Sequence, residues 1–363
     1  MNNILLLNIT ETTMSHFTDN VNIISGYSIK KNPNELHLDL NEFDFEHNPS
    51  MFEYLKNQIN NVNVTKYCSS DGILSSNDDH SDVNLIDKLA EYVGVEKTRI
   101  MLTNGCDAAI KLVIESCKFN NVYIHGPTYR QYERMSLLNN KNVINISENQ
   151  FMNFTPNNDI VFICSPNQPS GILYHDKLLS IVSKYPQTLF VIDETYIDYL
   201  VLIGKIKSFA CCADKYENVV VLRSMSKAFG LAGMRIGYII STRSNIDTFK
   251  KIFIHKDVTN LAKYAALSVI NNINHYVDSA HMMFDLQHRI VKLLNNHTEN
   301  VHETVCNFIV YNNAQLYEFL LQHNIITKVL PSGGYRMTIP SKKNTEILIE
   351  CIENFYLLAE KNI

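Results

Sequence analysis

Residues 222–238 read LRSMSKAFGLAGMRIGY, and the reading of the chain turns on Lys227 within it. The stretch begins in an apolar run, NVVVLRS (218–224), then sets Ser224, Ser226 and Lys227 ahead of Gly230, Ala232, Gly233 and Arg235. Such surroundings lead toward the interior, where an unpaired ammonium is costly. Lys227 therefore either finds a partner or is covalently occupied. The small residues that follow let the backbone come close to a bound group.

Outward from this stretch, strand-like and helix-like segments alternate. RIMLT (99–103) leads into a helix near Asp107, NVYIH (121–125) into YRQYERMSLL, and DIVFICS (159–165) into a helix near 176–184. TLFVID (188–193) and NVVVLRS complete the series. This alternation predicts an α/β fold with a mostly parallel sheet flanked by helices. A helix is expected over 84–94, stopped by Gly94. Beyond about residue 243 the pattern turns helical, with YVDSAHMMFDLQHRIVKLLNN (276–296) the longest candidate. Short mixed elements then return in NFIVY, IITKVL and YRMTI, before a terminal helix from 344. The expected organisation is a large domain over 41–270. A smaller α+β domain is expected from the N-terminal arm 1–40 together with 271–363.

The 363 residues are 45% hydrophobic and 19% charged with a net charge of −5, which fits an ordinary globular protein rather than a nucleic-acid binder. The eight cysteines (68, 106, 117, 164, 211, 212, 306 and 351) form neither a CxxC pair nor a Cys/His set with metal spacing. They fit reduced thiols, the adjacent Cys211 and Cys212 included, and a reducing compartment. The opening MNNILLLNIT lacks the basic start and small-residue cleavage site of a signal peptide. No apolar run is long enough for a membrane span. A cytoplasmic location is the expectation, with no metal, nucleic-acid or membrane partner.

Four loops follow predicted strands, where open α/β sheets bind ligands. In TNGCDAAI (103–110), Gly105 permits a tight turn, and the amides of Cys106 and Asp107 open a helix whose N-terminus suits an anion. The plain alternative is a strand–turn–helix junction capped by Asp107. In SPNQPSG (165–171), two prolines and a glycine hold Asn167, either as a ring-binding amide or as part of a structural turn. In VIDETYIDY (191–199), Asp193 ends an apolar strand and needs a partner, and Tyr196 is near enough to share its pocket. The fourth loop is the lysine stretch itself.

In this order, the motifs resemble the fold-type I pyridoxal-phosphate enzymes, class I/II aminotransferases of the histidinol-phosphate aminotransferase-like branch. The resemblance runs from about Tyr27 to the C-terminus and is most specific in SMSKAFGLAGMRIGY. It implies that Lys227 forms a Schiff base with the cofactor and later moves the substrate proton. It implies that Asp193 pairs with the pyridine nitrogen, that Asn167 and Tyr196 bond the phenolic oxygen, and that Tyr129 of GPTYRQY stacks on the ring. The amides of Cys106 and Asp107, with Ser224, Ser226 and Arg235, would hold the phosphate. Tyr67 of TKYCSSD matches a tyrosine that reaches the neighbouring subunit's cofactor, which implies a homodimer with shared sites. Arg336 of GGYRMTI matches the arginine that grips the substrate's acid group.

The chain departs from the family pattern at several points. Cys106 stands where the family has a serine, Ala108 where it has a glutamate, and SPNQPSG replaces NPNNPTG while preserving Asn167. A second substrate arginine is replaced by Lys328 of NIITK, and Tyr27 of SGYSIKK matches the tyrosine that helps hold a substrate phosphate. The usual PYNV segment reads IHKDV (254–258). Together, Tyr27, Tyr67, Lys328 and Arg336 point to a small phosphorylated substrate. The leading expectation is a transaminase between L-glutamate and imidazole-acetol phosphate or a smaller acceptor such as dihydroxyacetone phosphate. A decarboxylase of O-phosphoserine or O-phosphothreonine is the alternative. A retired fold acting as a regulator would lose the lysine or gain a DNA-binding segment, and neither is seen.

Overall fold

Three runs in the middle of the chain are apolar almost from end to end: Ile160–Cys164, Leu189–Asp193 and Val219–Ser224. Every residue in them except Leu189 is buried, as expected of strands covered on both faces. The computed structural model describes residues 31–61, 73–74, 83–254, 256–297 and 301–361. In it these strands pair in parallel at the centre of a seven-stranded sheet. Across the sheet the strands are Ile100–Thr103, Gly237–Ile240, Val219–Ser224, Leu189–Asp193, Ile160–Cys164, Asn121–His125 and Asn142–Ile146. Gly237–Ile240 is antiparallel to both neighbours, and the other described pairings are parallel.

The fold is the expected α/β arrangement, with differences at element ends. The helix expected near Asp107 begins at Gly105 and runs to Ser116, because Gly105 takes φ +74° and turns the chain two residues earlier. The helix expected over 84–94 spans Leu85–Val93, with Gly94 at φ +78° after it. The terminal helix starts at Lys342 rather than 344 and ends at Lys361. Two strands escaped the alternation. Asn142–Ile146 is a partly exposed edge strand rich in asparagine, and Gly237–Ile240 is the antiparallel one.

Chain order across the sheet reverses beside Asn121–His125, which has Asn142–Ile146 on one side and Ile160–Cys164 on the other. Loops leaving the carboxyl ends of such neighbouring strands diverge and open a crevice. The antiparallel insertion shapes the other end of that crevice. Gly237 lies level with both Thr103 and Ser224. A side chain there would come within 2.9 Å of the Arg223 carbonyl and 3.1 Å of the Cys106 nitrogen. Only glycine lets the helix starting at Gly105 sit down over this strand.

A second sheet contains His302–Glu303, Phe308–Tyr311, Tyr335–Thr338 and Lys328–Val329, in that order. It packs with the long helix Ile273–Asn295 and the terminal helix around Leu286, Ile290, Phe308, Met337 and Ile352. Leu36–His37 pairs in parallel with Ile325–Ile326, so the segment preceding Leu38 is tied to this part of the chain.

Beneath the crevice, Arg223 is fully buried and hydrogen-bonds Asp198, with Glu194 3.6 Å away. The rings of Tyr92 and Tyr238 lie 5.9 Å from its guanidinium carbon. Glu194 also accepts the Ser208 hydroxyl and, at 2.7 Å, the Phe209 N–H. Removing one member of such a group strands buried charge. Replacing Arg223 with Met is expected to lower unfolding free energy by about 3–5 kcal/mol at neutral pH. Urea denaturation reads this directly, and the loss should shrink in acid, where Glu194, its pKa already raised by burial, takes up a proton.

Candidate active site

Lys227 lies just beyond the end of the strand Val219–Ser224. Its Nζ donates to the Leu40 carbonyl at 3.1 Å and lies 5.8 Å from the centre of the Tyr196 ring. Burial, with the nearby Arg336 charge adding to it, pushes the ammonium down to about 8. A substantial share of the amine is therefore neutral near physiological pH, which is the state in which it is nucleophilic. Among the described residues, no carboxylate is at ion-pair distance from it.

Asp193 ends the strand Leu189–Asp193 and is buried. Its Oδ2 accepts the Tyr132 hydroxyl at 2.7 Å and its Oδ1 the Thr195 N–H at 2.9 Å. Burial pushes its pKa up, while the Thr195 and Tyr132 hydrogen bonds pull the other way. The described partners of this carboxylate are thus neutral. A protonated ring nitrogen would supply the missing cation.

An anion cradle lies at the start of the helix Gly105–Ser116. The residue preceding it, Asn104, makes no side-chain cap bond, so the first-turn amides are not claimed by it. Arg235, in the left-handed region at φ 52°, lays its guanidinium against Gly105; a Cβ there would sit 2.6 Å from Arg235 Nη2. The same nitrogen is 3.3 Å from Asp107 Oδ2. Ser224 Oγ accepts the Ser226 N–H at 3.1 Å, closing the turn ahead of the lysine. Cys106 donates its Sγ–H to the Arg223 carbonyl. The free amides, the guanidinium and the hydroxyl turn are a donor set suited to phosphate.

The two loops at the sheet's reversal are stitched together. Thr128 Oγ1 donates to Asn167 Oδ1 at 2.7 Å, and Asn167 Nδ2 donates to the Pro127 carbonyl and Ser170 Oγ, each at 3.0 Å. Tyr129, half exposed, donates to Asp107 Oδ1 at 2.9 Å and meets the Tyr132 ring edge-on. Burial and the neighbouring Asp107 raise its phenol pKa, so it stays protonated.

On the opposite wall, Tyr196 is buried and accepts the Asn41 Nδ2–H at 2.8 Å. Arg336 is only 6% exposed, donates to the Asp39 carbonyl, and has its guanidinium carbon 5.6 Å from the Phe308 ring centre. Lys328 faces Arg336 across neighbouring strands and is exposed. Tyr27 and Tyr67 lie outside the described residues.

The structure thus gathers Lys227, Asp193, Tyr196, Arg235, Asp107, Tyr129 and Arg336 around the carboxyl edge of the sheet. Sequence reasoning missed Tyr132, Thr195, Thr128 and the segment 39–41. Tyr132 carried a signal, since it falls one helical turn after Tyr129 in GPTYRQY. Asn41 carried little beyond being an asparagine, a residue that tolerates its φ of 53°. No group of three or more potential metal ligands occurs among the described residues, and no described helix is long and apolar enough to cross a membrane.

A buried carboxylate with neutral partners, a lysine of lowered pKa and an arginine-topped helix N-terminus together fit pyridoxal phosphate. Comparison with known proteins agrees. The chain belongs to the aminotransferase class I and II family, whose sequence profile matches residues 33–351. It is a fold-type I, pyridoxal-phosphate-dependent aminotransferase similar to the histidinol-phosphate enzymes. It is 26% identical over 282 residues to histidinol-phosphate aminotransferase of Staphylococcus aureus (strain JH9), a match spanning 74% of this chain and 79% of that protein. The fold matches crystalline histidinol-phosphate aminotransferase from Sinorhizobium meliloti in complex with pyridoxal-5'-phosphate. The TM-score is 0.79 at 17% identity, covering 94% of this chain and 99% of the other. L-threonine-O-3-phosphate decarboxylase from Porphyromonas gingivalis matches with a TM-score of 0.75 at 20% identity, over 88% and 99% of the two chains.

Because the neutral amine is the reactive form, cofactor loading of the empty protein should accelerate as pH rises and level off above about 8. Stopped-flow absorbance against pH measures this, and Lys227→Ala should give no yellow band at any pH.

Proposed function

We propose that the enzyme moves an amino group between L-glutamate and a small phosphorylated ketone or aldehyde. Imidazole-acetol phosphate, or a smaller analogue such as dihydroxyacetone phosphate, is the acceptor. The observation that carries this reading is the cation pair on the second sheet. Arg336 is buried beside the lysine, and Lys328 is its register partner at the solvent side. The inner planar fork suits a carboxylate, and the outer point charge suits a phosphate farther along the same substrate. The kinship with the Staphylococcus enzyme supports a phosphorylated substrate as well.

Each group then has a task. Asp193 would hold the pyridine nitrogen protonated, and Tyr129 would cover the ring face. Tyr196 would donate to the phenolic oxygen, and Asn167 Nδ2 would join it by giving up one of its two bonds, to the Pro127 carbonyl or to Ser170 Oγ. Gly105, Cys106 and Asp107 amides with Ser224, Ser226 and Arg235 would hold the phosphate. Bound pyridoxal phosphate supplies the electrophilic carbonyl and the electron sink for the Cα carbanion. Lys227 Nζ would attach the cofactor, and once free it would move a proton between substrate Cα and the cofactor's former carbonyl carbon, acting intramolecularly. Tyr196 lies under Lys227 and limits where that amine swings. Arg336 would orient the substrate by its acid group. Two copies working as a homodimer would bring Tyr67 to the partner's phosphate; Phe52, Ile252 and Ile254, exposed at 57%, 51% and 68%, are apolar surface such an assembly would cover.

Adding L-glutamate alone to the loaded enzyme should bleach the yellow band to the pyridoxamine form, and a phosphorylated acceptor should restore it. A band that glutamate leaves unchanged, with CO2 released from O-phosphothreonine or O-phosphoserine, would replace this reading with the decarboxylase. Replacing Arg336 with Gln should raise KM for glutamate at least about tenfold, as expected when a charged hydrogen-bonding fork is lost. Steady-state kinetics read this change.

A further inference from the structure

Three consecutive residues, Asp39, Leu40 and Asn41, touch three separate groups of the site. The Asp39 carbonyl accepts from Arg336, the Leu40 carbonyl accepts from Lys227, and the Asn41 side chain donates to Tyr196. We propose that Asn41 is a positioning residue whose amide sets the direction of the Tyr196 hydroxyl.

The geometry of Asn41 leaves its side chain little choice. It is 1% exposed, and its backbone takes φ 53°. Its backbone N–H donates to Thr338 Oγ1 at 3.0 Å, and its carbonyl accepts Asn307 Nδ2 at 3.2 Å. Thr338 Oγ1, which donates to the Leu38 carbonyl at 2.8 Å, also lies 3.2 Å from Asn41 Oδ1, and with the amide oxygen on that side Nδ2 faces Tyr196. Thr338 is two residues beyond Arg336 on one strand, which ties the same anchor to the substrate arginine.

A phenol carries one proton and accepts through its lone pairs. With the Asn41 N–H on the acceptor side, the Tyr196 proton must be donated elsewhere. Tyr196 is kept neutral, since burial raises its pKa. Accepting one hydrogen bond also strengthens the donor of the same hydroxyl. On the reading that Tyr196 meets the cofactor's phenolic oxygen, on which this inference rests, Asn41 makes Tyr196 an obligate donor to that oxygen. Stabilising negative charge there keeps the titration midpoint of the bound-cofactor absorption band low. An aspartate at 41 accepts instead of donating and turns the tyrosine proton away.

The test is a pH titration of the absorption band in the cofactor-loaded protein for wild type, Asn41→Asp, Asn41→Gly, Tyr196→Phe and the Asn41→Asp/Tyr196→Phe double variant. Aspartate and glycine both tolerate the positive φ, and thermal melting of each loaded variant verifies folding. The midpoint should rise by about one unit in Asn41→Asp and in Tyr196→Phe, and by about half a unit in Asn41→Gly. In the Tyr196→Phe background, Asn41→Asp should add no further shift. An Asn41→Asp shift that persists undiminished without the tyrosine hydroxyl overturns the proposal, as does an unmoved midpoint in Asn41→Asp when Tyr196→Phe moves it. If Tyr196→Phe leaves the midpoint in place, the underlying contact between Tyr196 and the cofactor is what fails.

Discussion

Arg223 is buried between two carboxylates and joins three parts of the chain that must meet for the site to exist. Its side chain holds Glu194 and Asp198, the flanks of the short segment that carries Tyr196, with Asp193 next to its start. Its carbonyl accepts the Cys106 thiol at the helix start and lies where a side chain at Gly237 would fall. Replacing a buried ionic group with apolar packing is often neutral or favourable for stability alone. What the charges contribute here is a fixed orientation, because neither carboxylate has an equally good place to go. Surrounding tyrosine rings and the Ser208 hydroxyl replace part of the solvation that water would otherwise provide.

Above this base the site is assembled from elements far apart in sequence, and electrostatics gives them their roles. Arg336 comes from the second sheet, Lys227 from the first, and both rest on neighbouring carbonyls of 39–40. Two cations so close would repel, and the burial that lowers the lysine's proton affinity relieves it; the arginine remains charged. Asp193 is bonded only to neutral donors among the described residues. A buried acid so placed suits a ligand nitrogen that carries positive charge.

Much of this was legible in the sequence because the strands buried on both faces are unbroken apolar runs, and a parallel sheet places loops after such runs at one edge. Asp193, Lys227 and the Gly105 turn follow from that rule. Asn142–Ile146 stayed hidden because an edge strand with exposed asparagines lacks the apolar signal. Gly237–Ile240 was read as the tail of the lysine motif, and nothing local announces that it inserts antiparallel between two strands. Asn41 and Tyr132 were missed because their importance lies in which groups they bond, and partners 155 or 61 positions away are not named by local pattern, even where spacing hints at a shared face. Thr195 is only two residues from Asp193 but binds it through its backbone N–H, which no side-chain pattern marks. Fold was carried by pattern, while fine positioning was carried by contacts.

Cys106 has a chemical consequence of its own. A thiol at a helix N-terminus is ordinarily made acidic and reactive. Here burial pushes its pKa up, and the carboxylates of Asp193 and Asp107 add to that rise. The sulfur is left as a neutral donor to a carbonyl. Oxidants and alkylating electrophiles attack thiolates, so a raised pKa works against both reactions at this helix start. If the proposed phosphate site draws on backbone amides, a cysteine held neutral can stand there in place of a hydroxyl residue.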